Sequence, residues 1–469
     1  MTEMTKVLLI RVISAAVSLS SVAYMSASPT TCGMQVIPQR DSSNSPQPAS
    51  VTISGNGRFL AFSSYAPLLP ADTNERSDVY VFDMTTKKLT IESILPDGSS
   101  ANTDSFRPDI SDDGRLVVFQ SSGRLVSTNG EEFTEQVILR DRHLGTTTVL
   151  SANRAGERGN NRSAHAVISS DGRVVAFESA ATNLVPGADA NGPAPDVYAV
   201  IVATRDVVRV SVTSTSRQLA EGSSFGPSIS ADGDLIAFTA SARLDEDRAQ
   251  PRATRRNSRA EKALPLQLNA ELRNVFVRDL ARGTTRRISR TDRGDPNGSS
   301  YLPAISDDGR WIAFVSNATD LVANDKNGAS DVFLYDLRTS TTSLVSRSVS
   351  GGTANGASTR PVISADGELV AFESDASDLV CSSRCATRDQ DVNLLSDVFV
   401  SDRARGVATR LSADAEGGWM QPSRSPAIAG NGEVIVFSSR RPTDDRDRGD
   451  DFDLFVAVGC SPPTGSTGQ

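Results

Sequence analysis

Three stretches of the chain share one acidic spacing: Asp72-x-Asn74-x-x-x-Asp78, Asp325-x-Asn327-x-x-x-Asp331 and Asp391-x-Asn393-x-x-x-Asp397. Alternating Asp and Asn side chains in a tight loop suit a hard cation such as Ca²⁺, which takes about six to eight oxygens from carboxylates, amide carbonyls and backbone. No bidentate Glu stands at the twelfth position, so these are not EF-hands. Asp189, Asn191 and Asp196 form a version one residue longer, and Asp445, Asp447, Asp451 and Asp453 a related cluster. The same residue types also make Asx turns that fix where a strand begins. Two readings therefore stand side by side: calcium ligation by these residues, or turn chemistry with no cofactor required.

A second cluster is basic. Arg248, Arg252, Arg255, Arg256, Arg259 and Lys262 stand close together in a chain whose 48 Lys and Arg against 57 Asp and Glu leave a net charge of −9. Such a loop is either simply solvated or docks an acidic glycan, lipid headgroup or acidic protein surface. The overall acidity disfavours nucleic acid as a partner, because phosphate binding rests on counterion release by clustered cations. Only His143 and His165 are available as histidine bases, and a lone histidine at a strand end commonly has a structural role. No Gly-x-Ser-x-Gly elbow, His-Glu-x-x-His helix, Walker loop or zinc-spaced Cys/His cluster occurs in the sequence. Carboxylates from distant segments could still pair.

The elements that would position these residues repeat. Asn-Gly or Asp-Gly turns occur at Asn56-Gly57, Asp113-Gly114, Asp171-Gly172, Asp232-Gly233, Asp308-Gly309, Asp366-Gly367 and Asn431-Gly432, each followed by Phe62, Phe119, Phe177, Phe238, Phe314, Phe372 or Phe437. These are the strongest short-range hairpin signals, read as type I′ turns with positive φ at both central residues. Seven copies at a near-constant period mean a repeat architecture, and each unit divides into four short strands, a to d. Strand d is missing once, and Gly33 to Pro38 can supply it by pairing with the last strand c. An all-β, seven-bladed β-propeller of four-stranded antiparallel blades follows, with the N-terminal strand completing the last blade and closing the edge.

The a–b turns and c–d links are short, whereas the d–a and b–c links are long and polar and emerge together on the other face. Insertions at about 242–273 and 381–393 fall there, so function is expected on that face, near the channel mouth. Asn102, Asn160, Asn297 and Asn355, each three residues before a Ser and shortly before strand a, are expected to hydrogen-bond from blade to blade.

Residues 1–23 read as a signal peptide, with Lys6 and Arg11 before an apolar stretch and small residues at Ser21 and Ala23, cleavage extending up to 27. Export, to the periplasm or outside the cell, is expected, with the propeller over 34–460, a disordered tail at 461–469 and no transmembrane span after the signal is removed. Four cysteines in an exported chain suggest two disulfides: Cys381 with Cys385 inside one loop, and Cys32 with Cys460 across the ring closure. Lipidation of Cys32 fits less well, since Pro29-Thr30-Thr31 lacks the apolar and small residues expected before a lipidated Cys.

The unit Ile305-Ser306-Asp307-Asp308-Gly309-Arg310-Trp311-Ile312-Ala313-Phe314-Val315-Ser316, followed by 331–336 and 341–346, resembles the WD40-like (PD40) repeat of TolB-type propellers, and the resemblance runs over about 34–460. TolB-type proteins also carry an N-terminal α/β domain and usually six blades, which this chain does not share. The role of TolB-type proteins does not carry over with the repeats; the long-loop face and the lack of catalytic motifs make an exported, monomeric binding or scaffold module for an envelope protein or glycan the leading expectation, non-enzymatic in this reading. The alternative is a propeller polysaccharide lyase or glycoside hydrolase using channel-mouth carboxylates, with or without Ca²⁺.

Overall fold

The computed structural model describes residues 50–122, 125, 134–245, 272–292, 294–380, 393–414, 417–418, 421–440 and 452–459, together with the backbone of strands at 9–10, 22–23 and 33–37. Its described residues form strands and turns only, and no helix among them is long and apolar enough to cross a membrane. Seven four-stranded antiparallel sheets repeat the order a-b-c-d. The a strands are Val51–Ile53, Ser105–Ile110, Ser163–Ile168, Ser224–Ile229, Ser300–Ile305, Ser358–Ile363 and Ser423–Ile428. The b strands are Phe59–Ser64, Leu116–Ser121, Val174–Ser179, Leu235–Ala240, Trp311–Ser316, Leu369–Ser374 and Val434–Ser439. The c strands are Asp78–Asp83, Gln136–Asp141, Asp196–Ile201, Asn274–Asp279, Asp331–Asp336, Asp397–Asp402 and Asp453–Val458. The d strands are Leu89–Ile91, Thr146–Val149, Asp206–Arg209, Thr284–Arg287, Thr341–Leu344 and Val407–Arg410. Gly33–Ile37 is the seventh d strand, with Gly33 opposite Val458 and Ile37 opposite Leu454, as the sequence predicts. The a strands lie side by side around a central channel, and Ser423–Ile428 meets Val51–Ile53 to close the ring.

The repeated Phe of strand b is fully buried in every blade. In six blades it stacks on the aromatic residue opposite it in strand c, for example Phe314 on Phe333 at 5.7 Å and Phe177 on Tyr198 at 6.0 Å. Blade 2 puts Ile138 opposite Phe119 instead. Period-2 alternation thus becomes a stacked aromatic pair in six of the seven blades, worth more than its area alone.

The hairpin turn differs from the type I′ expectation. Gly57, Gly114, Gly172, Gly233, Gly309, Gly367 and Gly432 have φ between +68° and +74°, but the Asn or Asp before each does not have positive φ. The loop has four residues, closed in blade 2 by Gly114 N–H donating to Ser111 O (2.8 Å) and Ser111 N–H donating to Leu116 O (3.0 Å). Asp113 Oδ1 accepts from the Ser111 hydroxyl (2.7 Å) and Arg115 N–H (2.9 Å), which holds the Asp right-handed and leaves positive φ to the Gly alone. The Gly is needed for space as well. A Cβ on Gly367 would stand 2.2 Å from the Trp311 ring of the preceding blade, and one on Gly114 2.2 Å from the Phe59 ring.

Candidate functional site

Strand a contains a bulge: pairing with strand b shifts between Phe106 and Asp109, and likewise in each blade from 2 to 7. The third residue of strand a takes up the irregularity. Arg107, His165, Gly226, Leu302, Arg360 and Ser425 all have φ between +49° and +59°. Five of the six are not glycine, and a non-glycine residue there is uncommon. Since the bulge recurs, it belongs to the blade, while the side chain it presents at the long-loop end of the channel is free to vary.

The bulge N–H groups are taken up by polar side chains across blade boundaries. Gln120 accepts from His165 N–H (3.0 Å), Glu178 from Gly226 N–H (3.1 Å) and Glu373 from Ser425 N–H (2.5 Å). Glu178 also contacts His165 Nδ1 at 2.6 Å and Arg162 at 3.8 Å, while Arg107 Nη1 meets His165 Nε2. Burial would raise the Glu178 carboxyl, but His165, the Gly226 N–H and Arg162 hold it below its ordinary range. Arg162 also pairs with Glu135 at 2.9 Å, and Arg360 with Glu373 at 3.0 Å.

Arg107 forms no carboxylate salt bridge among the described residues. Enclosure in the ring lowers its pKa, Glu178 and Glu135 raise it, and Arg162 and Arg360 lower it. Arg360 belongs to blade 6 and Arg107 to blade 2, so their fields meet across the channel. A guanidinium remains charged regardless. The channel mouth is therefore lined by Arg107, Arg162, Arg360, His165, Glu135, Glu178 and Glu373, of which the sequence pattern singled out only His165. The available signal is the strand-a pattern Ser-x-X-Pro-x-Ile of blades 2, 4, 5, 6 and 7, with Ala166 in place of Pro in blade 3, in which X varies between copies.

The acidic loops prove to be closely hydrogen-bonded. In each of blades 1, 5 and 6 the Asn amide donates to the Asp that opens strand c: Asn74 to Asp78 (3.0 Å), Asn327 to Asp331 (2.9 Å) and Asn393 to Asp397 (3.3 Å). The Asn oxygen accepts the N–H two residues on, from Arg76 (2.6 Å), Ala329 (2.9 Å) and Leu395 (2.7 Å), forming an Asx turn. A serine two residues past strand d donates to the same Asp: Ser93 to Asp78, Ser346 to Asp331 (2.7 Å) and Ser412 to Asp397 (2.5 Å). This is the turn geometry of the second reading, and no three His, Cys, Asp or Glu side chains gather as a metal set among the described residues. Burial pushes Asp78 up to about 7 and Asp331 up to about 6.

At three of the four Asn-x-x-Ser links the Asn bonds within the blade it introduces, to the start of that blade's own b–c loop, rather than from blade to blade. Asn160 exchanges hydrogen bonds with Thr182, Asn297 with Thr319 and Asn355 with Ser377, at 2.8–2.9 Å. His143 lies on the other face with its N–H on Asp141 (3.0 Å). A groove of about 440 Å³ on that face, between blades 2 and 3, is walled by Arg115, already paired with Asp141 at 2.7 Å, and by Leu144, Arg173 and Arg205. Asp391, the basic residues Arg248, Arg252, Arg255, Arg256, Arg259 and Lys262, and Cys32, Cys381, Cys385 and Cys460 lie outside the described residues.

No known family's sequence profile matches the chain, and no curated protein matches it. Solved structures do. An oligogalacturonate lyase in complex with manganese aligns with 13% identity and a TM-score of 0.50 over 99% of both chains. An oligogalacturonate lyase from Vibrio parahaemolyticus aligns with 13% identity and a TM-score of 0.49, over 91% of this chain and 97% of that one. TolB from Acinetobacter baumannii aligns with 12% identity and a TM-score of 0.36, over 91% and 80%. At these identities the likeness is one of fold alone, and by its seven four-stranded sheets the chain is a seven-bladed β-propeller.

Proposed function

We propose that the protein is an exported binding module that seats an anionic group of an envelope protein or glycan at the long-loop mouth of its channel. The observation that carries this reading is Arg107, a guanidinium without a carboxylate partner among the described residues, set beside His165 and facing Arg360 across the channel. A carboxylate arriving there gains a charge-assisted, two-pronged hydrogen bond from a group the ring already holds in place. The chain between Asp245 and Leu272 carries the basic residues Arg248 to Lys262, and in this reading it draws acidic partners towards the mouth. Calcium is not required for this role.

The test is binding of the purified protein to an array of acidic and neutral polysaccharides, together with pull-down from envelope extract. Arg107→Ala should weaken retention of acidic ligands about tenfold while the melting temperature stays within about 1 °C. Equal retention of neutral and acidic ligands, or no effect of Arg107→Ala, would overturn the reading. A lyase or hydrolase is the second reading, supported by the 2.6 Å contact of His165 with Glu178, the form of a base with its orienting acid. It predicts product from the retained glycan, abolished by His165→Gln; binding without turnover speaks against it.

A further inference from the structure

Every blade that buries carboxylates in its b–c loop must neutralise or solvate them, and the blades do so differently. The residue of strand d opposite the strand-c aromatic is the key position. In blade 3 it is Arg209, 3.3 Å from both Asp189 and Asp196, with Gln218 Nε2 donating to Asp189 and Asp196 at 2.7 Å each. In blade 4 it is Arg287, 3.0 Å from Asp245 and 2.5 Å from Asp295, and in blade 6 it is Arg410, 3.7 Å from Asp397. Blade 2 avoids the problem by opening strand c with the neutral Gln136. Blade 1 has Ile91 at the key position, and there the Tyr80 hydroxyl donates to Asp72 instead.

Blade 5 has neither device. Leu344 stands at the arginine position and Phe333 at that of Tyr80. Asp325 is only 8% exposed and its Oδ1 meets no donor, while Asp331 is fully buried. Neither forms an ion pair among the described residues, and the neighbouring Lys326 is exposed. Asp378, across the d–a link, adds a further negative field, its Oδ1 accepting from Asn355 N–H at 2.9 Å.

We propose that the blade-five loop holds a single hard divalent cation of the Ca²⁺ class between Asp325 and Asp331, doing there what Arg209, Arg287 and Arg410 do in their own blades. Two carboxylates place it among weak sites, with a Kd of about 10⁻⁴–10⁻³ M, and backbone carbonyls and water complete the coordination shell. This goes beyond the binding role and does not depend on it. The assignment also narrows the repeated acidic motif: among the loops fully described, blades 1 and 3 already carry their own donors.

EDTA-treated full-length protein titrated calorimetrically with CaCl₂ should show binding in that range and a melting temperature raised by roughly 2 °C at 10 mM Ca²⁺. Asp325→Asn should lower the stoichiometry by one, and so should Phe333→Tyr, a near-isosteric change that supplies the hydroxyl of blade 1. Leu344→Arg should do the same by supplying the internal cation of blade 3, whereas Asp72→Asn should leave binding unchanged. Absence of both heat and a melting shift in the wild type would mean that Oδ1 holds only water, and overturns the proposal. Unchanged stoichiometry in both Asp325→Asn and Phe333→Tyr would overturn it as well, placing the ion elsewhere.

Discussion

Replacing Arg209 by Met isolates what an internal cation is worth in these loops. The methionine keeps most of the packing against Tyr198 but removes a guanidinium whose side chain is 12% exposed, between carboxylates that are 4% exposed. Breaking a buried pair by removing one partner costs about 3–5 kcal/mol. Proton uptake limits the part due to Asp196. Burial, partly offset by Ser211 and Arg209, already lifts Asp196 to about 6, so at pH 7 it escapes by binding a proton at about 1.4 kcal/mol per pH unit. The remainder comes from Asp189 and from the lost bonds to Tyr198 and Gln218, which gives a total of about 3 kcal/mol. With an unfolding entropy of roughly 2.1 cal/mol/K per residue across the propeller, this lowers the melting temperature by about 3 °C.

The sign with pH is fixed. A carboxyl whose folded pKa is raised contributes stability that is present below its unfolded pKa of about 3.9 and lost as pH rises through the folded value. In Arg209→Met that folded value rises further, so the variant's deficit should be about half as large at pH 5 as at pH 7. Calorimetry at the two pH values reads this directly, and the double variant Asp196→Asn/Arg209→Met should recover about 1 kcal/mol at pH 7. A variant that melts within 1 °C of the wild type at pH 7, or whose deficit grows on acidification, would refute the idea that Arg209 neutralises the loop.

Other consequences can be checked by unfolding. Phe314→Ala, which empties the layer against Phe333 (5.7 Å), should cost about 3–5 kcal/mol, seen as a lower urea midpoint at unchanged slope. Gly367→Ala should cost well over about 2 kcal/mol, because φ is +69° and the new Cβ would lie 2.2 Å from Trp311. Gly406→Ala, with φ +65° and open space around it, should cost only about 1 kcal/mol, and equal losses would rule out the inter-blade contact as the cause. At the channel floor, burial and the field of Asp112 lift Asp307 to about 6, so its contribution falls as pH rises from about 4 through 6. Asp307→Asn should flatten that slope and melt higher than the wild type at pH 7; an unchanged slope would contradict it.

The features of the fold that were legible in the sequence are those a single blade determines. The Gly of each turn and the Phe five residues later recur in all seven blades and the Asp that opens strand c in five, because each blade packs its own core layer, and Gly33 to Ile37 is found because strand d is one copy short. The turn type was misread at Asp113 and its equivalents because Asp-Gly alone does not reveal the serine two residues earlier, whose hydroxyl Asp113 Oδ1 accepts (2.7 Å). The channel mouth was illegible for a different reason. Arg107, His165, Glu178 and Arg360 come from blades 2, 3 and 6, and only ring closure brings them together. Blade five's orphan oxygen at Asp325 could be found only by comparing what opposes it in each copy.

The channel is polar along its axis. At the long-loop end stand Arg107, Arg162 and Arg360; at the other end the a–b turns form a hydrogen-bonded floor, with Asp112 N–H on Ser170 O (3.0 Å), Ala231 N–H on Asp307 O (3.2 Å) and Ala365 N–H on Gly430 O (2.8 Å). The carboxylates there are Asp109, which bridges blades through Thr52 (3.0 Å) and Ile168 N–H (2.8 Å), together with Asp112 and Asp307. Burial raises the pKa of each, and any of them that ionises adds negative charge at the floor. An anion entering from the long-loop side is attracted by the arginines and repelled further in, and low-dielectric walls focus both effects. The gradient therefore holds an anionic group at the mouth, within reach of the long loops, and the same Asp307 that costs the fold stability above pH 6 would strengthen that confinement as it ionises.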